Sequence, residues 1–112
     1  MKKEAFDLNL NELFDKSKTI LTNKAEGYAN NKTTDDRLYN FKAQAEFLNS
    51  KPQRELLSLY MKHFIVIRDW IINGQEYSYN EFEERVIDCI NYLILFYMQE
   101  KEKYEFEREE DA

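Results

Sequence analysis

The pattern of hydrophobic and polar positions predicts a chain built from helices, and the clearest one begins at Ser78. Ser78 and Glu81 form an S-x-x-E capping box, and the helix that follows runs at least to Met98. On a helical wheel its wide apolar face lies opposite a narrow polar stripe. The apolar face holds Phe82, Val86, Cys89, Ile90, Leu93, Phe96 and Tyr97, and the stripe holds Glu81, Glu84, Asp88, Asn91 and Tyr92. Because the second half is apolar on nearly every side, we expect this helix to be covered on more than one side.

Three earlier segments also have apolar residues spaced three, four or seven apart, which is typical of helices. They predict helices from about Asn9 to Ala29, from about Thr34 to Leu48 and from about Ser50 to Ile72. Capping boxes mark two of the starts, Thr33 with Asp36 and Ser50 with Gln53. We expect residues 1–8 to form a loose arm.

The low content of turn residues favours a few long helices over many short strands. The 112 residues contain two glycines and one proline, and no segment shows the alternation of a strand. Together these observations predict one all-α domain, an antiparallel bundle of about four helices. Two of the helices are apolar almost all round, so we expect a homodimer or larger homo-oligomer that pairs through apolar helix faces.

The charge balance is acidic, with a net charge of −6 to which residues 100–112 contribute as an acidic tail or helix extension. This charge opposes nonspecific binding to nucleic acid or to an anionic membrane. No apolar run approaches a membrane span and no secretory signal is visible, so we expect a cytoplasmic protein. The single cysteine, Cys89, is expected to be a small buried hydrophobic residue.

Three carboxylates lie along one ridge of the last helix and are the first candidates for chemistry. Glu81, Glu84 and Asp88 are three and four residues apart. Such a ridge suits Mg²⁺ or Mn²⁺, although a solvated stripe is the simpler interpretation of Glu81 and Glu84. Asp88 has apolar neighbours, and a buried carboxylate is costly without a partner, so we expect it to meet a cation, a hydrogen-bond donor or a metal.

Lys62 and His63 stand together in the otherwise apolar third helix. Lys62 is expected either to face phosphate oxygens or to form an exposed ion pair with Asp69. His63 is either a ligand-binding residue or a hydrogen-bonded structural histidine.

A third cluster opens the second helix. Asp36 either complements the helix dipole or binds a metal. Arg37 and Asn40 are three residues apart and could contact a phosphate or a base, and Tyr28, eight residues before Asp36, offers a ring for stacking.

Four short motifs, in this order, are similar to those of small phage-encoded proteins of the MazG-like, all-α nucleoside triphosphate pyrophosphatase superfamily. They are K-x3-Y at Lys24 and Tyr28, D-R-L-x-N-F from Asp36 to Phe41, K-H at Lys62 and His63, and E-x3-D-x2-N-Y-L from Glu84 to Leu93. The resemblance spans about residues 23–97. It implies a bundle that pairs into dimers or tetramers and uses Mg²⁺ (or Mn²⁺) to split a nucleoside triphosphate into monophosphate and pyrophosphate. It also implies that Asp88 matches the metal-binding aspartate of the last core helix.

The residues and the resemblance together define the candidate site. Its catalytic residues are Glu84 and Asp88, its metal ligands are Asp36, Glu84 and Asp88, and its substrate-binding residues are Tyr28, Arg37, Asn40, Lys62, His63 and Asn91. The chain departs from the superfamily pattern in three places. It lacks the early E-x-x-E motif, it has Arg85 three residues before Asp88 where a glutamate is usual, and it has Ala29 where a glycine often follows Tyr28.

Three functions therefore stay open. The first is a Mg²⁺-dependent pyrophosphohydrolase that acts on an NTP or dNTP in the host cytoplasm. The second is a non-catalytic phage counter-defence protein that inhibits a host nuclease or defence complex, or sequesters a nucleotide signal. The third is a purely structural oligomer.

Overall fold

The computed structural model describes residues 1–30 and 34–111, and over these residues it confirms an all-α helical bundle. Its helices are α1 (Lys3–Tyr28), α2 (Tyr39–Phe47), α3 (Pro52–Asn73) and α4 (Tyr79–Asp111). Within those ranges, none of the helices is both long enough and apolar enough to cross a membrane.

The two outer helices are longer than the periodicity predicts. The expectation of a loose arm at residues 1–8 is wrong, because α1 begins at Lys3. An i,i+4 pair between Lys3 and Asp7, 2.9 Å apart, supports the first turns. At the other end, α4 continues through the acidic tail to Asp111, since the glutamates, lysines and arginine there are good helix formers.

One of the predicted capping boxes forms its N-cap bond, and another does not form. Ser78 Oγ accepts a hydrogen bond of 3.2 Å from the backbone N–H of Glu81, as expected for an N-cap. The Ser50–Gln53 box does not form, because Lys51 occupies the N-cap position of α3 and no side chain caps it. Gln53 instead donates a 3.0 Å hydrogen bond to Glu100 on α4. A tertiary contact has replaced the local one.

The second helix begins later than predicted, at Tyr39. Thr33 lies outside the described residues. Asp36 forms a turn ahead of the helix, where its Oδ1 accepts a 2.9 Å hydrogen bond from the backbone N–H of Leu38. This bond between residues two apart stabilises a turn rather than a first helical turn.

The long helices do not all alternate in direction. Helices α3 and α4 are antiparallel, because Gln53 at the start of α3 contacts Glu100 late in α4 while Trp70 near its end packs on Phe82. Helix α1 runs along α4 in the same direction, since its residues contact α4 in increasing order. The contacts are Lys16 with Glu83 and Lys24 with Asp88. The short α2 and its flanking turns make this direction possible.

The core is small and lies where α2 crosses the long helices. Its fully buried members are Leu38, Phe41, Leu56 and Leu95, and the partly buried residues Leu21, Tyr28 and Tyr92 pack against them. All three long helices contribute to this core, which therefore holds them together. It lies at one position along the length of the bundle.

Helix α4 buries part of its polar stripe and leaves much of its apolar face exposed. Asp88 and Asn91 are each 5% exposed, whereas Phe82, Leu93 and Phe96 are about half exposed. Cys89 is buried, as expected. Helices α1 and α3 both pack on α4, so the chain covers α4 on more than one side, as the sequence predicts, and still leaves part of its apolar face exposed.

Ser17 on α1 is 2% exposed and its hydroxyl has no hydrogen-bond partner among the described residues. Such a group loses its hydration on folding without compensation. Ser17→Ala is therefore expected to raise the free energy of unfolding by about 1 kcal/mol in urea titrations. Ser58→Ala is a matched control, because Ser58 is exposed in a helix and donates to the carbonyl oxygen of Arg54. An equal change in both variants would mean that helix propensity alone, and not burial, explains the effect.

Candidate functional site

A cleft of about 290 Å³ lies between α1 and the first half of α4. It is lined by Ile20, Lys24, Asn80, Glu83, Glu84, Ile87 and Asp88. Glu84 and Asp88 are one helical turn apart, so both reach the same cleft. The structure thus brings together the two residues that the sequence predicts to be catalytic.

Asp88 is the most enclosed charged group of this cleft. Its Oδ1 lies 3.3 Å from Lys24 Nζ and its Oδ2 lies 3.4 Å from His63 Nδ1. The carboxylate is 5% exposed, whereas about half of the Lys24 side chain reaches solvent. The expectation that buried Asp88 meets a cation is met by Lys24.

His63 receives two contacts that compete for the same nitrogen. Arg85 Nη1 lies 2.8 Å from His63 Nδ1, closer than the Asp88 oxygen. Burial is the main cause that lowers the pKa of His63, and Arg85, Lys24 and Lys62 lower it further, against the opposing effect of Asp88. The lowered pKa favours the neutral imidazole, and Arg85, which can only donate, then has Nδ1 as its acceptor. The ring of His63 is positioned beside Asp88 and stacks on Tyr92 at 5.4 Å.

A pair of tyrosines closes the site on the side of the core. Tyr28 and Tyr92 both pack against the core and lie close enough to influence each other's pKa, and the Tyr28 ring packs on Phe41 at a centroid distance of 4.9 Å. Burial raises the pKa of both hydroxyl groups. Tyr28 thus lies next to the candidate site, but one face of the ring that was predicted to stack on a ligand already packs on the core.

Asn91 is buried beside these residues without a hydrogen-bond partner. It follows Asp88 by three residues on α4, so the two share one side of the helix. Both its amide nitrogen and its amide oxygen lack a partner among the described residues. A buried amide in this state costs free energy, which makes Asn91 a candidate for a role other than packing.

The other predicted site residues lie elsewhere. Asp36 pairs with Lys42 at 2.7 Å, and Lys42 also pairs with Glu102 at 2.7 Å. Glu102 is fourteen residues beyond Asp88, about 21 Å along α4. The structure therefore does not bring Asp36 to the two α4 carboxylates. Asn40 has a structural contact, donating a 2.7 Å hydrogen bond to the carbonyl oxygen of Gly27 that ties α2 to the end of α1.

Arg37 and Lys62 are exposed. The expected ion pair between Lys62 and Asp69 is not formed, because Asp69 binds Arg68 at 3.1 Å and accepts a hydrogen bond from Asn73. Lys62 remains close enough to His63 to influence its pKa.

Two residues of the site, Lys24 and Arg85, are absent from the predicted site residues. Lys24 and Tyr28 are four apart on α1, as Asp88 and Tyr92 are on α4. Because the two helices run in the same direction, Lys24 meets Asp88 and Tyr28 meets Tyr92 in register. The matched spacing was the signal that could have identified Lys24. Arg85 was visible only as a departure from the family pattern.

The fit of a divalent cation depends on Glu84 and Asp88. The described residues contain no group of three or more His, Cys, Asp or Glu arranged to hold a metal ion. Glu83, the third carboxylate of the cleft, is bound by Lys16 at 2.9 Å and by the Tyr79 hydroxyl at 2.7 Å. Magnesium commonly binds to one or two carboxylates and completes its shell with water and substrate phosphates. Glu84 and Asp88 fit that mode of binding, but they do not form a site in which protein side chains supply most of the ligands.

No family model, no curated protein and no solved structure matches this chain.

Proposed function

We propose that the cleft between α1 and α4 binds the phosphate chain of a nucleoside or deoxynucleoside triphosphate and, with Mg²⁺ or Mn²⁺, hydrolyses it to monophosphate and pyrophosphate. The observation that carries this proposal is Asp88, a buried carboxylate that shares a cleft with Glu84 and faces the amine of Lys24. A buried charge is rarely retained without a partner, and Asp88 lines a cleft that a ligand can enter.

The charge of the cleft argues that a divalent cation accompanies the nucleotide. Three carboxylates and one lysine line it, so an uncompensated triphosphate would meet net negative charge. Glu84 and Asp88 would hold the cation together with phosphate oxygens. When bound, it would polarise the phosphate and lower the pKa of a water ligand.

The remaining residues of the site have separable roles. Lys24, with half of its side chain in solvent, neutralises phosphate charge once Asp88 binds the cation. His63 lies beside Asp88 with its Nδ1 engaged by Arg85, so it orients these side chains rather than exchanging a proton. Asn91 supplies an amide donor and acceptor that no described residue uses. Lys62 and Arg37, both exposed, contribute to attraction of the anion rather than to its positioning.

The direct test is to incubate the protein with each of the eight common NTPs and dNTPs and Mg²⁺ or Mn²⁺, and to measure pyrophosphate release. Release is expected with at least one nucleotide and is expected to disappear on addition of EDTA. Calorimetric titration with the same nucleotide should show binding that also requires the cation. Absence of both release and binding for all eight nucleotides would refute the proposal for ordinary nucleotides.

A second candidate function is non-catalytic binding, either of a host nuclease or defence complex or of a nucleotide signal. It is favoured by ion pairs within the chain, because Glu83 pairs with Lys16 and Asp88 pairs with Lys24. Neither carboxylate then needs a ligand as its partner. Binding of a nucleotide without turnover would support sequestration. If no nucleotide binds and a pull-down recovers one host protein, the inhibitor function is supported.

A further inference from the structure

A second cavity, of about 250 Å³, lies between the end of α3 and the start of α4. It is lined by Val66, Ile67, Trp70, Ile71, Tyr77, Phe82 and Arg85. None of these residues lines the cleft that contains Asp88, which we call the Asp88 cleft. Ile71 and Phe82 are 73% and 45% exposed, so the cavity is open to solvent at its edge. The proposed nucleotide function assigns no ligand to it.

The walls of the cavity are largely aromatic because the chain turns back after α3. Gly74 ends that helix with a φ of +67°, a conformation that commonly closes a helix and changes the direction of the chain. Beyond this turn, the Tyr77 ring stacks on Trp70 at a centroid distance of 5.5 Å, and Phe82 packs on the same indole at 5.4 Å. Such rings offer flat apolar surfaces to a planar ligand. An apolar cavity of about 150 Å³ holds benzene, so this cavity has room for a somewhat larger ring system.

Arg85 brings a positive charge to this otherwise uncharged lining. Its side chain is partly buried, and its guanidinium group makes one hydrogen bond, to Nδ1 of His63 at 2.8 Å. It forms no ion pair with a carboxylate among the described residues. A guanidinium group has five N–H donors, so most of them are left for another acceptor. Because charges that leave water are normally paired, the geometry favours an anionic ligand.

The charge of the cavity also limits the kind of anion. One guanidinium group neutralises one negative charge, and a polyanion such as a triphosphate would keep uncompensated charge against apolar walls. A carboxylate carries a single charge and matches the guanidinium group through two parallel hydrogen bonds. The cavity therefore suits a monocarboxylate better than a phosphate compound.

We propose that this cavity is a binding site for a small molecule that combines an apolar ring with one carboxylate. The ring packs on Trp70 and its aromatic neighbours, and the carboxylate pairs with Arg85. This inference does not depend on the proposed nucleotide function, since the two sites have no lining residue in common.

The test is calorimetric titration of the full chain with naphthalene carboxylate and with its neutral carboxamide. The carboxylate is expected to bind at least about tenfold more tightly, because hydrogen bonds between charged groups are stronger than neutral ones. Arg85→Gln is expected to remove this preference while the carboxamide still binds, which shows that the cavity is intact. Arg68→Gln is the matched control, because it removes the same charge from an exposed arginine of α3 that pairs with Asp69 outside the cavity.

Ile71→Glu tests the same contact without altering Arg85, and it decides the question if Arg85→Gln does not fold. Ile71 is largely exposed, so its replacement leaves the core intact. The new carboxylate at the edge of the cavity should pair with Arg85 and weaken binding of naphthalene carboxylate about tenfold or more. In the wild type, saturation with this compound is expected to shift the indole N–H resonance of Trp70, the only tryptophan of the chain.

Several outcomes would overturn the proposal. They are failure of both compounds to bind the wild type, equal affinity for the two, an unshifted Trp70 resonance, and a preference for the carboxylate that survives Arg85→Gln or Ile71→Glu. Loss of the preference in Arg68→Gln would show that it reflects overall charge and not this cavity. An affinity that falls as the protein concentration rises would show that a second copy of the chain, and not a small molecule, occupies the cavity.

Discussion

Replacing Asp88 by asparagine is expected to abolish cation-dependent nucleotide binding and pyrophosphate release together. The substitution keeps the shape of the side chain but removes the buried negative charge, and the cation would then be left with Glu84 as its one carboxylate. Glu84 is exposed, and a single exposed carboxylate holds Mg²⁺ weakly against water. The loss in turnover is expected to be about 100-fold or more, since even the outer-shell partners of metal ligands typically cost about 10–100-fold when they are replaced.

The same variant separates a catalytic role from a structural one. Lys24 can turn into solvent when its partner is neutralised, so the free energy of unfolding should fall by only about 1–2 kcal/mol. Asp69→Asn is the control, because Asp69 pairs with Arg68 outside the cleft. If Asp88→Asn folds and retains wild-type binding and turnover, the nucleotide site is not at this cleft and the surface-binding function becomes the better account.

Replacing Leu95 by alanine is expected to cause the largest loss of stability, about 2–5 kcal/mol of the free energy of unfolding. Leu95 is 4% exposed and belongs to a core with few fully buried members, so its removal leaves a cavity that the surrounding helices cannot close. Small domains have about 5–15 kcal/mol in total, and the melting temperature should therefore drop by on the order of 10 °C. Urea titration and thermal melts followed by circular dichroism measure both quantities.

Leu8→Ala is the comparison for this variant, since Leu8 also lies in a long helix but is 59% exposed. Its expected cost is within about 0.5 kcal/mol. If the two variants were equally stable, the small core between α2 and the long helices would not be what holds the bundle together.

The sequence predicted the helices because their periodicity is a local property. The start of α4 was also predictable, since Ser78 and Glu81 lie in one turn and the cap needs no distant residue. The Ser50–Gln53 box failed because Gln53 finds a partner on α4, a contact that no local pattern contains. The helical state of residues 3–8 was missed because the large apolar residues there, Phe6 and Leu8, are two apart, a spacing that does not show a helical period.

The part of the candidate site that lies on α4 was predictable from the sequence. The contacts that other helices make with it were not. The ridge that contains Glu84 and Asp88 follows from i,i+4 spacing on α4 alone. The approach of Lys24 to Asp88 requires that α1 run in the same direction as α4, which contradicts the simple alternation of an up-and-down bundle. Asp36, by contrast, looked like a site residue in the sequence and is placed by Lys42 and Glu102 at a different level of the bundle.

Arg85 belongs to two surfaces at once, and this has a thermodynamic consequence. Its guanidinium group contacts His63 in the neighbourhood of Asp88, and its side chain also lines the cavity beside Trp70. Any occupant that moves Arg85 from one side changes the electrostatic environment on the other. Coupling free energy between two binding events is reciprocal, so a ligand of the Asp88 cleft and an occupant of the cavity beside Trp70 would change each other's affinity by the same factor.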